Sequence, residues 1–281
     1  MTILDCDTFD TALTSLASAI GVPAPALLQV LRGHDSGLRT GYDRVEHDAP
    51  MLLHSFGVEL RDLRFDGAYY FHGSRVMQPT SFLRDGILPL DAMLDQIWAS
   101  LYKLCAAEIS PQQWLTLRRR LEEGPLEPND NQHWARLYRH KVTARVDQGP
   151  FGSVIRDMVI LPAEGHHDYL DIPEIVRDIA GFAGLDLDTR FRASTTSCVV
   201  KFRDDRVDEG HVAVALTYLL ASARNEPLDQ GCAYYPTRAG TAVPSHDIVA
   251  VDEIGPGHLL GTHRATIYRH QQQSIDSPVQ F

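Results

Sequence analysis

Four cysteines are all that this chain of 281 residues contains, and none stands in a C-x-x-C pair or beside a histidine at metal-ligand spacing. Cys6, Cys105, Cys198 and Cys232 therefore read as reduced thiols, and neither a disulfide framework nor a structural zinc site is expected. No apolar run approaches the roughly 20 residues of a membrane helix, so no membrane partner is expected. Positive charge is in deficit: the formal net charge is -11, whereas broad attraction to a nucleic-acid backbone needs a basic surface. The concentrated positive stretches, LRRRLEEG at 117–124 and LYRHKVTAR at 137–145, read as solvated helix faces. The N-terminal MTILDCDTFDTALTS carries acids where an export or transit signal would carry basic residues, so a cytoplasmic protein is the expectation. Also missing are the phosphate-cradling G-x-x-x-x-G-K, the nucleophile elbow G-x-S-x-G and the zinc-binding H-E-x-x-H. With 44% hydrophobic and 22% charged residues, what remains is an ordinary globular composition, long enough for a main domain with a small accessory one.

The first sixty residues read as a helical N-terminal subdomain (1–60). Asp7 and Asp10 resemble a capping pair, Leu13, Leu16, Ala17 and Ile20 form a buried stripe, and Gly21 stops the helix. PAPALLQVLRG then predicts a second helix ending at Gly33, and GHDSGLRTGYD at 33–43 a polar connector. A mixed pattern follows, assigned to one α+β domain over 64–270, with 271–281 as a tail. AYYFHG predicts a strand; the segments from 90, from 110 and from 132 predict helices; GPFGSVIRDMVILP predicts a strand because Val154, Arg156, Met158 and Ile160 alternate with Ile155 and Val159. DIPEIVRDIAG predicts a helix capped by Asp171 with Glu174 and ended by Gly181. STTSCVVKF and SHDIVAVDEI predict strands, HVAVALTYLLASARN a helix, and HRATIYRH a final strand.

One stretch asks for more than packing. GAYYFHGSRVMQPTSFLRDGILPL, at 67–90, ends an aromatic strand in His72-Gly73-Ser74. A glycine there lets a ligand approach the backbone, and the adjacent imidazole can donate a hydrogen bond to a hydroxyl. YFHGSR followed by FLRDGILPL resembles the HGT … G-hydrophobic-x-P signature of the ADP-ribosyltransferase superfamily, over residues 69–90, and SHDIVAVDEI is similar to its late acid-bearing strand. The resemblance implies a split β-sheet core, NAD as substrate, His72 on a ribose hydroxyl, Gly73 on the nicotinamide carboxamide, and Ser74, Arg75 and Tyr70 about the cofactor. It makes His72 and Asp247 the catalytic pair, with Ser74 in place of threonine and Asp247 in place of glutamate. Glu253, six residues on, is expected past the far end of that strand and out of the cleft. Tyr70, Tyr138, Tyr169 and Tyr235 all remain open as the nicotinamide-facing tyrosine.

The chemistry fits the residue types. Breaking the nicotinamide–ribose bond develops positive charge at the anomeric carbon, which a nearby carboxylate stabilises. The expected activity is transfer of ADP-ribose to an unidentified protein or nucleic-acid acceptor, or NAD hydrolysis. An RNA 2'-phosphotransferase-like enzyme would instead need phosphate-gripping arginines, for which Arg75, Arg139, Arg145 and Arg156 are available, and a non-catalytic nucleotide-binding protein would retain only the scaffold. His166, His167 and Asp168 read as a polar loop rather than a metal site, since neighbouring strand residues point apart.

Overall fold

A computed structural model describes residues 2–35, 41–125, 131–161, 168–233 and 238–255. Its first helix, α1 (Phe9–Ile20), starts at Thr8 rather than at the aspartates: the Thr8 hydroxyl accepts from the Thr11 amide and the Thr11 hydroxyl from the Thr8 amide. Asp7 is engaged elsewhere, with Lys201 and Arg156. Gly21, left-handed at φ 80°, closes α1 as expected. Helices α2 (Ala24–Gly33) and α3 (Tyr42–His54) follow.

Strand β1 (Ala68–Val76), the short α4 (Ser81–Asp85), and a run of helices come next: α5 (Leu90–Cys105), α6 (Pro111–Glu123), α7 (Asn131–Thr143), α8 (Arg156–Ile160), α9 (Glu174–Ala183) and α10 (Leu187–Ser194). Strand β2 (Thr196–Asp204), helix α11 (Glu209–Ala223) and strand β3 (Ile248–Ile254) complete the described elements. The architecture is α+β, and its sheet is small and antiparallel in the order β1-β2-β3. Among the described residues no single helix is long and apolar enough to cross a membrane.

The main core wraps α11, which is apolar on every side and buried from His211 to Ala221. Leu13, Leu16, Leu27, Leu31, Leu52 and Leu53 from the first three helices share that core with Tyr70, Val200 and Phe202 of the sheet. Residues 2–60 thus have no separate core of their own; Leu4 and Cys6 even bridge to Ala68 and Ile155. The second large core is helical and lies further along the chain, in α5, α6, α7, α9 and α10 around Trp98, Trp114 and Tyr138. The Trp98 indole donates to the Tyr138 hydroxyl at 3.1 Å, and that hydroxyl donates to Glu122 at 3.1 Å.

Three sequence-based assignments need correction. The stretch 149–161 is not a strand: Ser153 makes a two-way backbone bridge to Phe71, and the chain then turns into α8. Val154, Ile155, Met158 and Val159 are all buried, and a short apolar run covered on all sides does not distinguish strand from helix by its pattern. At α9, Pro173 takes the cap position while Asp171 forms a forked pair with Arg192 at 2.7 Å. Gly181 does not end α9; the indole of Trp134 sits where its Cβ would be, and Gly184 at φ 65° closes the helix. Helix α10 had no expected counterpart, though Leu187 and Phe191 face the core one turn apart. The expected strand HRATIYRH and the tail 271–281 lie outside the described residues.

Gly86 ties α4 to the sheet region. Its φ is 75°, and an added Cβ would stand 2.0 Å from the Val243 carbonyl oxygen, beside the Ile87–Val243 bridge. Gly21 has a similar φ of 80° but open space around it. Gly86→Ala should therefore cost about 3 kcal/mol and Gly21→Ala about 1 kcal/mol, measured by urea unfolding. Equal losses would mean that the Gly86 turn relaxes freely.

Candidate functional site

Alternation along β1 decides which of the expected residues can act together. Even-numbered positions turn toward the main core, where Tyr70, His72 and Ser74 stand opposite Phe202, Val200 and Cys198 of β2. Odd-numbered positions turn to the other face, against the small cluster of Phe71, Val159, Ile160, Leu170 and Val199. Continuing across β2 to β3, Val200 faces Val251 and Cys198 faces Glu253. His72, Ser74 and Glu253 consequently share a face.

His72 is half-buried and oriented by the backbone. Its Nδ1 lies 2.7 Å from the Phe151 carbonyl oxygen, which can only accept, so Nδ1 carries the proton and Nε2 of the neutral ring is an acceptor. The ring packs edge-on to Phe82 of α4, with centroids 6.2 Å apart. Burial holds its pKa below the ordinary value, with the Phe151 hydrogen bond opposing in part. The expected donor role toward a hydroxyl becomes an acceptor role at Nε2.

Glu253 lies inside β3, not past its end, and its side chain is exposed. Its carboxylate stands close enough to Cys198 to add to the effect of burial, which pushes that thiol up to about 12. Asp247 lies in the 3-10 turn Ser245–Asp247 just before β3, with His246 Nε2 3.8 Å from its carboxylate. From strand spacing and rise, the Cα atoms of His72 and Glu253 are roughly 12 Å apart and those of His72 and Asp247 roughly 14 Å. More important than distance, Asp247 sits toward the Phe202 end of the sheet, away from Ser74.

The other expected cofactor residues separate. Gly73 faces the opposite side, where an added Cβ would meet Val159 Cγ1 at 2.7 Å and Tyr169 Cβ at 3.3 Å, so the space left by the glycine is filled by packing. Gly73→Val is therefore a packing mutation before it is a binding one. Arg75 is on that face too, its guanidinium donating to the carbonyls of Leu170, Arg192 and Thr195 and to the hydroxyls of Thr195 and Ser197. Tyr138 is spent in the helical core, and Tyr235, His166 and His167 lie outside the described residues. Asp168 accepts from the Leu170 and Asp171 amides and so shapes a turn.

The arginines considered for a phosphate are also engaged. Arg139 donates to three backbone carbonyls at the end of α6, Arg145 to Ala239, and Arg156 pairs with Asp7 and Asp252. A different group, not foreseen from sequence, lines a cleft of about 150 Å³ beyond Tyr70: Phe202, Asp204, Arg206, Asp208, His211 and Arg238. The charged run RDDRVDEGH at 203–211 was the available signal, but nothing placed Arg238 beside it. The cleft is too small for a dinucleotide, since sites for ligands of that order occupy roughly 300–1,000 Å³. Comparison of the chain with protein families, with curated proteins and with solved structures finds no match.

Two imidazoles, His72 and His211, have pKa values lowered chiefly by burial, although Asp208 opposes the shift at His211. Below the ordinary histidine value the unfolded chain takes up protons that the folded chain refuses, so stability falls with pH from there until the folded values are reached. The urea midpoint should drop between about pH 7 and about pH 5, and His72→Gln should flatten the slope. A midpoint that rises over that range, or a slope indifferent to His72, would contradict the burial account.

Proposed function

We propose that the chain is an NAD-dependent ADP-ribosyltransferase or NAD glycohydrolase, in which the sheet face bearing His72, Ser74 and Glu253 cleaves the nicotinamide–ribose bond. The observation that supports this reading is the cross-strand row: an oriented imidazole acceptor, a hydroxyl and an exposed carboxylate on one face of three adjacent strands. In this reading the sheet is the nucleotide-bearing part of an ADP-ribosyltransferase-like core, and the acceptor is a protein or nucleic acid yet to be identified.

The bond that breaks joins the ribose anomeric carbon to the nicotinamide nitrogen. Nicotinamide leaves with the electron pair, and the anomeric carbon develops oxocarbenium charge. Glu253 stabilises that charge, then takes the proton of the water or acceptor group that bonds to the carbon. Nε2 of His72 accepts from a ribose hydroxyl and fixes the sugar's orientation. Glu253 takes the role that the sequence pattern gave to Asp247, because it shares the face of His72 while Asp247 precedes the strand.

Nicotinamide release tests the assignment. Glu253→Gln should lower turnover by about a hundredfold or more with nucleotide affinity little changed, as for a group acting in the transition state. Asp247→Asn should stay within about threefold of the parent. If only the Asp247 change abolishes release, the carboxylate is Asp247. If the parent releases no nicotinamide with water or any acceptor offered, the chain is a non-catalytic protein on this scaffold.

A further inference from the structure

The cleft beside Tyr70 is lined by two arginines and two aspartates, and their pairing leaves a buried guanidinium N–H without an acceptor among the described residues. Asp204, almost fully buried, accepts from the Arg206 amide at 3.0 Å and from its Nε and Nη2 at 3.0 and 2.8 Å. Its Oδ2 also lies 3.5 Å from Arg238 Nη1. That carboxylate is used up as a brace for two guanidinium groups. Asp208, with its side chain 62% exposed, commits one oxygen: its Oδ1 accepts from the His211 amide at 3.1 Å and contacts the ring nitrogen Nδ1 at 2.6 Å. Tyr70 donates its hydroxyl to the Arg206 carbonyl.

Guanidinium donors of both arginines remain there. Arg238 Nε is buried and has no acceptor among the described residues, and the Arg238 side chain is only 21% exposed. A buried guanidinium N–H left without an acceptor is costly, which makes the position a place for an incoming oxygen. Arg206, 61% exposed, adds its remaining Nη1 from the rim. Donors from two separate guanidinium planes suit a tetrahedral oxyanion better than a planar carboxylate, which one fork satisfies.

We propose that the cleft formed by Tyr70, Phe202, Asp204, Arg206, Asp208, His211 and Arg238 is a phosphate-binding site, with Arg238 as its inner donor and Arg206 as its outer one. Its volume of about 150 Å³ admits a single phosphate group, free or carried on a small ester, and not a dinucleotide. The proposal does not rest on the NAD reading, and either can hold without the other.

Calorimetric titration of the full chain with inorganic phosphate at low salt tests it. The parent should bind with a Kd of about 1 mM or tighter, and Arg238→Gln should weaken binding at least about tenfold. Arg238→Lys, which keeps the charge and the ion pair but loses Nε, should also weaken it, and it guards against a loss due only to misfolding. Arg61→Gln, an exposed change of the same charge outside the cleft lining, should leave affinity unaltered. Ribose 5-phosphate is the second arm: tighter binding than inorganic phosphate identifies an ester as the source, and equal binding identifies the free ion. No binding at about 10 mM phosphate, or the same affinity in parent and Arg238→Gln, overturns the proposal.

Discussion

The pairing of β1 with β2 is the constraint on which the rest depends. Nine residue pairs run from Ala68 with Asp204 to Val76 with Thr196. Both faces of that ribbon are covered, one by the main core around α11 and one by the cluster of Phe71, Val159 and Leu170. A slip of one residue would exchange every side chain between those faces, so burial on both sides holds the register. The outer edge of β1 is secured as well, by Leu4 and Ser153. Which polar groups meet is a consequence: His72, Ser74 and Glu253 on one face, Gly73 and Arg75 on the other.

The N-terminal strand-like segment is anchored by charge as much as by packing. Lys201, on the face opposite His72, reaches Asp5 at 3.2 Å and Asp7 at 3.0 Å while lying 4.3 Å from the centre of the Tyr69 ring. Arg156 joins Asp7 to Asp252 of β3. These contacts tie residues 5 to 7 across all three strands, which explains why the aspartates are not helix caps and why the first sixty residues share a core with the sheet.

Much of the element pattern was legible from the apolar residues: α1 and α5 follow from helical spacing, and α11 and β1 from nearly continuous apolar runs. The failures share a cause. At 149–161 and at Gly181 the local signal was real, but tertiary contacts, the Phe71–Ser153 bridge and the Trp134 indole, overrode it. For the site, a strand through His72 was readable, although β1 runs on to Val76 and leaves His72 mid-strand; the residues that share its face were not. The face of Glu253 depends on pairing across a distance in sequence and on an irregularity at Lys201/Phe202. Arg238 likewise meets Asp204 only through the fold, and Arg75 looked free only because its carbonyl partners lie 95 to 120 residues away.

The shared face of His72, Ser74 and Glu253 is the claim that matters most, and it is measurable without any assay of activity. The Tyr69 and Phe71 amides donate outward to Leu4 and Ser153, so even-numbered β1 residues bond to β2, and Cys198 with Glu253 is a close, non-hydrogen-bonded pair. Their Cα atoms should be about 4.5 Å apart, giving a strong Hα–Hα Overhauser contact between Cys198 and Glu253 in solution. A contact from Cys198 to Asp252 in its place would turn Glu253 to the face of Arg75 and contradict the account.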